Sequence, residues 1–463
     1  MAESPLHARM WLRFLIGGTV AVGTMLTAGH SSYYAASQYA PHGRLVKFTP
    51  IPEATDICLI PSAVQRAERS SAVQSRRNRV LPLDSSTQSF SGPPNRKIKD
   101  AYPSFAAIAV DPVRNEVVVT DESTFKILVY DRLANTGPEG ITEPKRVLEG
   151  DNTLIEFQSG VYIDPANGDI YAPNNDTVDT LVVFAHGANG DTKPKRALHT
   201  PHGTFNMDIH HGRGEMFLTT QHDSSVVVFR KDADKEDAPI RLLQGDDTGL
   251  ADPHGIAIDE KNEIFFVANY GSRALRDPAR PTRSGVPGMG KGRDKENWPY
   301  GREYAVPGSG WHQEPSITVH ALTAKGNDKP LRKIQGSNTQ LNWPTGIAFD
   351  PGAREIYVAN DMGPSVLVFD ADASGNVAPK RVLKGPKTKL ANPTSVSLDL
   401  KNGELWVANF GGHTATAYPL KAAGDTPPLR TIRSAPESVP SLMIGNPGAL
   451  TYDSKREEIL VPN

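Results

Sequence analysis

Residues 344–385 read PTGIAFDPGAREIYVANDMGPSVLVFDADASGNVAPKRVLKG. The segments GIAFD, EIYVAN, SVLVFD and KRVLKG are short and apolar, and residues typical of turns separate them. This pattern predicts four antiparallel strands joined by tight turns. One such sheet cannot bury both of its faces, so further copies must stack against it.

Two phrases of this unit recur along the chain. The first-strand phrase occurs seven times, at 107–111, 160–164, 206–210, 255–259, 346–350, 395–399 and 449–453. A fourth-strand arginine also recurs seven times, as Arg96, Arg146, Arg196, Arg241, Arg332, Arg381 and Arg430. Repeats of this period are typical of radial propellers, so the sequence predicts an all-β, seven-bladed β-propeller over residues 79–463.

The two ends of the repeat array look complementary. Residues 79–100 resemble third and fourth strands without the first two, and residues 447–463 resemble first and second strands without the last two. We therefore expect one composite blade, built from both chain ends, to close the ring. The alternative is a ring of six blades with one degenerate unit. The repeated arginine is expected to form ion pairs between blades.

Composition excludes several classes of protein. The chain has 463 residues, with 50 basic against 52 acidic side chains, so nothing favours binding to nucleic acid. The single cysteine, Cys58, excludes an internal disulfide framework and a multi-cysteine metal site.

The N-terminus predicts export. Arg9 and Arg13 precede an uncharged stretch of 15 residues, Phe14–Ala28. This is typical of a signal peptide, or of an uncleaved anchor, over residues 1–29. Residues 30–78 then read as a leader or linker. Both alternatives predict an extracytoplasmic protein that is periplasmic, secreted or membrane-anchored.

The repeat motif P-x-G-I-A-x-D, I-Y-V-A-N and V-x-V-F resembles NHL-type repeats and lactonase-like or gluconolactonase-like bacterial propellers. The resemblance covers about 385 residues. It implies a divalent metal held by an acidic residue, Asn and Asp at the mouth of the central tunnel. The first strands here begin with Ala106, Ser159, Phe205, His254, Thr345, Thr394 and Gly448, and none of these is a carboxylate. No cofactor is therefore strongly implied.

Loops that precede the first strand and follow the second strand should share one face, which we call the mouth face. They contribute candidate binding residues His202, His222, His254, Trp343, Asn269, Asn360 and Asn409. The asparagines recur once per blade, which is also typical of a residue that forms its own turn. The three histidines are candidate metal ligands, against the alternative of surface histidines without a ligand.

Residues 273–315 interrupt the fourth full repeat. This insertion carries arginines and large aromatic residues, which are typical of interface hot spots. Its candidate binding residues are Arg276, Arg280, Arg283, Trp298, Tyr300 and Trp311. A docking segment or a lid is favoured over a plain cover or disorder.

No G-x-S-x-G, H-E-x-x-H or C-x-x-C-H motif occurs. The sequence therefore favours a non-catalytic propeller that binds a protein, an extracellular polymer or a small ligand through its mouth face and insertion. The alternative is a metal-assisted hydrolase or lactonase of the same architecture.

Overall fold

A computed structural model describes residues 100–175, 178–273, 310–442, 451–453 and 458–460. Six four-stranded antiparallel sheets dominate it, each with its strands in chain order. The first has strands β1 (Phe105–Asp111), β2 (Glu116–Asp121), β3 (Lys126–Asp131) and β4 (Arg146–Leu148). The second has β5 (Tyr162–Ile163), β6 (Ile170–Pro173), β7 (Thr180–Phe184) and β8 (Arg196–His199). The third has β9 (Thr204–His210), β10 (Glu215–Thr220), β11 (Ser225–Arg230) and β12 (Arg241–Gln244).

The insertion interrupts the fourth sheet, where the two-residue strands β15 (Ser272–Arg273) and β16 (Trp311–His312) pair with each other. That sheet has β13 (Pro253–Asp259), β14 (Ile264–Asn269), β17 (Ser316–Ala321) and β18 (Arg332–Gln335). The fifth has β19 (Pro344–Asp350), β20 (Glu355–Asn360), β21 (Ser365–Asp370) and β22 (Arg381–Leu383). The sixth has β23 (Pro393–Asp399), β24 (Glu404–Asn409), β25 (Thr414–Pro419) and β26 (Arg430–Arg433). Short 3-10 turns occupy Asp151–Thr153, Asp246–Thr248, Ser337–Thr339, Pro386–Thr388 and Phe410–Gly412.

The hydrophobic core lies between neighbouring sheets. Strands β2, β14, β20 and β24 are buried at every position, as expected for strands with a sheet packed on each side. One cluster joins Val358 and Phe369 of the fifth sheet to Phe266 and Ile317 of the fourth. Each sheet therefore stacks its apolar faces on its neighbours, as the repeat predicts.

The repeated arginine stabilises its own blade. Arg381 makes two hydrogen bonds of 2.8 and 2.7 Å to the carboxylate of Glu355, the first residue of the second strand. Its guanidinium also lies 5.7 Å from the ring centre of Tyr357. Equivalent ion pairs join Arg146 to Glu116, Arg241 to Glu215 and Arg430 to Glu404. The expected inter-blade ion pair is found at Arg332, whose guanidinium lies 3.6 Å from Asp372 of the next blade. In these four blades the expectation is corrected, because the arginine finds its carboxylate two strands away in the same sheet.

A backbone bridge links consecutive blades. The loop between the third and fourth strands of each blade reaches the fourth strand of the blade before it. The parallel bridges are Leu148 to Gly190, Leu198 to Lys235, Leu243 to Gly326, Ile334 to Gly375 and Leu383 to Gly424. The sixth blade is bridged in the same way to the first, since the Thr136 N–H donates to the Thr431 carbonyl over 3.0 Å.

The number of blades is therefore six, and the expectation of seven blades with a composite closure is wrong. Arg132 of the first blade donates to Glu404 of the sixth over 2.8 Å, and Thr394 donates to the Phe105 carbonyl over 3.3 Å. The ring closes between two complete sheets and leaves no gap there for another blade. This is the alternative that the sequence left open.

The seventh first-strand phrase behaves differently from the other six. Among the described residues, its strands β27 (Thr451–Asp453) and β28 (Glu458–Leu460) pair with each other as a two-stranded sheet. Its expected partner, residues 79–100, lies outside the described residues except for Asp100. The predicted signal peptide or anchor, residues 1–29, and the leader, residues 30–78, also lie outside them. No helix in the described part is long and apolar enough to cross a membrane.

Candidate ligand site at the mouth face

The mouth face is built by a contact that repeats in five blades. In four of them the residue directly after the second strand donates its backbone N–H to the carbonyl of the residue directly before the first strand. In the second blade, where both strands are shorter, the same bond starts two residues after the second strand and ends five residues before the first. The pairs are Asn175 to Phe157, Gln221 to Gly203, Tyr270 to Asp252, Asp361 to Trp343 and Phe410 to Asn392. Two side chains about 18 residues apart in sequence are thereby held next to each other in each blade.

Four residues of this set adopt a left-handed backbone, and three of them are not glycine. Asp252, Trp343 and Asn392 have φ values of 55°, 55° and 45°, and each directly precedes the proline that opens its strand. For a residue as bulky as tryptophan this conformation is a clear outlier. Strained backbone of this kind concentrates at ligand and active sites.

An aromatic wall crosses the third, fourth and fifth blades. The ring of His254 lies 4.0 Å from Phe205 and 3.6 Å from Tyr270, between ring centres. Tyr270 in turn lies 5.0 Å from Trp343, which is 44% exposed. The wall therefore runs from a buried imidazole to an indole that solvent reaches.

The carboxyl groups of Asp252 and Asp361 lie beside this wall. Among the described residues, no arginine or lysine is paired with either of them. Burial raises the pKa of Asp252 to about 7, although a hydrogen bond from Gln221 opposes the shift. Burial likewise raises the pKa of Asp361, opposed by a 2.9 Å hydrogen bond from Asn392. Burial, and after it the charges of Asp361 and Asp252, raise the pKa of Tyr270.

His254 and Asp252 each present a polar atom with no hydrogen-bond partner. Nδ1 of His254 and Oδ1 of Asp252 are buried and unpartnered in the described structure. His254 is 2% exposed, and burial followed by the charge of His222 lowers its pKa, so the imidazole is neutral. Its Nε2 lies 3.7 Å from Asp252 Oδ1, slightly beyond hydrogen-bond length. This pair can hold or move a proton near neutral pH.

The other predicted histidines lie near the wall. The rings of His202 and His222 are 5.2 Å apart, and His202 Nδ1 lies 3.0 Å from Asp179 Oδ1. No group of three or more His, Cys, Asp or Glu residues in the described ranges is arranged to hold a metal ion. The structure thus brings the three histidines to one region without making a metal site of them.

The recurring asparagines brace loops. Asn360 accepts from the Asn342 N–H over 2.6 Å and donates to Ser365 Oγ over 3.1 Å. Asn269 and Asn409 make the corresponding bonds, and all three side chains are buried. The metal site implied by the lactonase resemblance needs free asparagine and carboxylate oxygens. These amides are already engaged, so the residues do not fit that site.

The base of the insertion is anchored in the fourth blade. Arg273 is buried and donates to Asp246 over 2.6 Å, whereas Trp311 on the paired strand is 38% exposed. The other candidates, Arg276, Arg280, Arg283, Trp298 and Tyr300, lie outside the described residues.

A concavity between the second and third blades, away from the mouth face, is a weaker candidate. It encloses about 550 Å³, and Lys195, Arg230 and Lys231 are among its lining residues. These cations already pair with Asp169, Asp232 and Asp164. The cations that line this concavity are therefore already engaged in ion pairs, which makes it the weaker candidate.

Sequence reasoning missed Asp252, Asp361 and Tyr270. Their signal was positional, since each either precedes the opening proline or follows the recurring asparagine. The first-strand starts that lack a carboxylate lie two residues further along than the residue before the proline, and in the fourth blade that position is His254.

Comparison with known proteins supports the architecture. The SMP-30/gluconolactonase/LRE-like family matches residues 318–426, about a quarter of the chain. This range includes Trp343, Asp361 and Asn392. No curated protein matches the sequence.

Among solved structures, a chain of hydrazine synthase from Kuenenia stuttgartiensis is 13% identical, with a TM-score of 0.45 over 71% of this chain and 99% of that one. A chain of a nidogen/laminin complex is 12% identical, with a TM-score of 0.42 over 73% and 95%. The family match and the six four-stranded sheets confirm the resemblance to lactonase-like and NHL-type propellers at the level of the fold.

Proposed function

We propose that this lactonase-like propeller binds a small organic molecule at its mouth face, on the third to fifth blades. One observation carries the proposal, namely the buried, unpartnered atoms of Asp252 and His254 beside an aromatic wall. Buried polar atoms are rarely left without a partner, and orphaned ones call for an explanation. Apolar walls with a few convergent polar groups are typical of ligand sites.

A fragment screen tests this proposal. Saturation-transfer NMR on the full chain should find small molecules that bind the wild type and compete with one another. Trp343→Ala should weaken their binding about tenfold or more, because the exposed end of the wall is lost. Trp311→Ala is the matched control, since it removes an exposed tryptophan outside the wall. Hits that tolerate Trp343→Ala but not Trp311→Ala would place the ligand elsewhere.

Hydrolysis is the second candidate, and two observations favour it. The family match includes part of the mouth, and Asp252 has a pKa of about 7, which suits a general base at neutral pH. With γ-butyrolactone, δ-valerolactone and D-glucono-1,5-lactone as substrates, Asp252→Asn should reduce kcat at least about 100-fold. A wild-type rate no faster than buffer would reject hydrolysis and leave binding intact.

Docking of a protein or an extracellular polymer through the insertion remains a further proposal. Its support is the exposed Trp311, which lies on the strand pair at the base of the insertion. Replacing residues 273–315 with a short Gly-Ser turn should leave the ring folded and abolish that interaction. Charge reversal at Arg276, Arg280 and Arg283 should weaken it, more strongly at low salt. Unchanged capture of the partner would reject a role for the insertion.

Extracytoplasmic placement is likewise a proposal. It is supported by the uncharged stretch Phe14–Ala28 after two arginines. Cell fractionation tests it, and intact full-length chain in the soluble cytoplasm would overturn it.

A further inference from the structure

The charge of the mouth points to a class of ligand. The first strand of the fourth blade places His254 near Asp252, and the turn after β10 adds Gln221 and His222. The charges of Asp361 and Asp252 both act on the phenol of Tyr270 and raise its pKa. The charge of Glu122, from the first blade, acts on the same phenol. Among the residues that the structure describes, the immediate surroundings therefore offer carboxylates, a neutral imidazole and no lysine or arginine paired with Asp252 or Asp361.

A buried carboxylate without a counter-ion is costly. Burial alone holds protons on such groups at pH values where free aspartate is ionised, which is the state of Asp252. A bound anion would raise this cost further through like-charge repulsion. A bound cation would supply the missing counter-charge and allow both carboxyl groups to ionise.

The wall beside these groups suits a cation for a separate reason. The faces of tryptophan and tyrosine rings carry negative charge density, and they attract ammonium groups within about 6 Å. Tyr270 and Trp343 lie close together, and neither ring has an arginine or lysine over it among the described residues. The four guanidinium–ring contacts in this part of the chain belong to the blade arginines instead.

We propose that the mouth-face site binds a small organic cation, either a protonated amine or a quaternary ammonium, between the carboxylates of Asp252 and Asp361 and the rings of Tyr270 and Trp343. This inference rests on the proposed function, since it names the class of molecule that the same site takes. The carboxylates supply the charge, and the rings exclude water from the ammonium group.

Isothermal titration of the full chain at pH 8 tests the proposal with matched pairs of probes. Choline is compared with 3,3-dimethyl-1-butanol, which replaces the charged nitrogen with carbon, and 2-phenylethylammonium is compared with 2-phenylethanol. At least one cation should bind about tenfold tighter than its neutral counterpart. Lowering the pH to 5.5 should weaken binding of the cation and leave binding of the neutral probe unchanged, because Asp252 must lose its proton to pair with the cation.

Variants separate charge from shape. Asp252→Asn and Asp361→Asn should each reduce the preference for the cation several-fold while neutral-probe binding persists. Asp151→Asn, at an exposed aspartate in a turn, is the control and should change nothing. Circular dichroism of each variant confirms that the ring remains folded.

The contradicting outcomes are distinct. Equal binding of charged and neutral probes, with both lost in Trp343→Ala, would overturn the cation and keep the proposed ligand site. Binding of calcium chloride but of neither ammonium probe would also overturn it. No binding by any of these probes would reject the organic cation, while the fragment screen would still decide the proposed function.

Discussion

Burial sets the chemistry of Asp252, to which no arginine or lysine of the described ranges is paired. Its carboxyl group accepts a hydrogen bond from Gln221, yet its other oxygen has no partner and lies 3.7 Å from a neutral imidazole. The left-handed backbone at this residue is strained as well. Stability has been given up here in two ways, as is common at sites that bind or react.

Asp252→Asn should therefore alter how stability depends on pH. The pKa is about 7 in the folded chain against an ordinary 3.8, so the folded state binds the proton more tightly. Between about pH 4 and pH 7 the unfolded chain has released this proton and the folded chain has not, so the free energy of unfolding of the wild type falls as pH rises. Asparagine does not titrate, so the variant lacks this part of the fall.

Urea denaturation at pH 5 and pH 8 measures the difference. The variant should gain on the order of 2 kcal/mol relative to the wild type at the higher pH. Asp151→Asn should follow the wild type at both values. Parallel curves for wild type and Asp252→Asn would show that Asp252 ionises normally in the fold.

Glycines at the ends of the fourth strands show how one element is joined to the next. Gly385 has a φ of 138°, and a Cβ atom there would lie 2.6 Å from Cγ of Asp425 in the next blade. Asp425 accepts a 2.7 Å hydrogen bond from the Lys387 N–H, just past the glycine. The same close approach joins Gly150 to Asp191, Gly245 to Asn327 and Gly336 to Asn376.

Gly385→Ala should therefore destabilise the ring more than a left-handed backbone alone would. Gly403→Ala is the matched control, because its φ is 68° and a Cβ atom there would meet nothing within 4 Å. Both variants lose about 1 kcal/mol or more from backbone strain. Only Gly385→Ala must also displace Asp425, which should cost roughly 1 kcal/mol more. Equal losses in thermal denaturation would show that the inter-blade cap contributes nothing.

The strands could be predicted from the sequence, whereas the side-chain contacts between different strands and loops could not. Alternating apolar segments and turn residues located GIAFD and EIYVAN, which lie within β19 and β20. The contact between Tyr270 and Asp252 could not be read from periodicity, because it depends on how loops fold over the strand ends. The partner of Arg381 was missed for a similar reason, since sequence gives the spacing of strands but not which carboxylate faces an edge residue.

Ring closure is a property of the whole molecule that counting repeats does not determine. Seven first-strand phrases occur in the sequence, but the ring closes where two complete sheets pack against each other. Here the first and sixth sheets meet, and their core includes Phe105, Tyr130 and Trp406. His413 of the sixth blade adds a contact of 3.0 Å to Asp100 at the start of the first.

Closure between two complete sheets leads to a prediction about truncation. A chain without residues 1–98 keeps every contact described between the first and sixth blades, so its thermal midpoint should stay within about 2 °C of the full chain.

Arg132→Ala should act in the opposite way. The guanidinium of Arg132 is buried. It lies 2.8 Å from Glu404 and 3.5 Å from Asp399 of the sixth blade, and it donates a hydrogen bond to Asn115 of its own blade.

Removing this side chain leaves Asp399 and Glu404 with less compensation and loosens the one junction where chain-distant blades meet. The midpoint should drop by at least about 4 °C in both the full and the truncated chain, and limited proteolysis should become faster. Arg230→Ala, which removes an exposed ion pair to Asp232, is the control and should have little effect. If the truncated chain unfolds early while Arg132→Ala melts like the wild type, closure depends on the N-terminal residues after all.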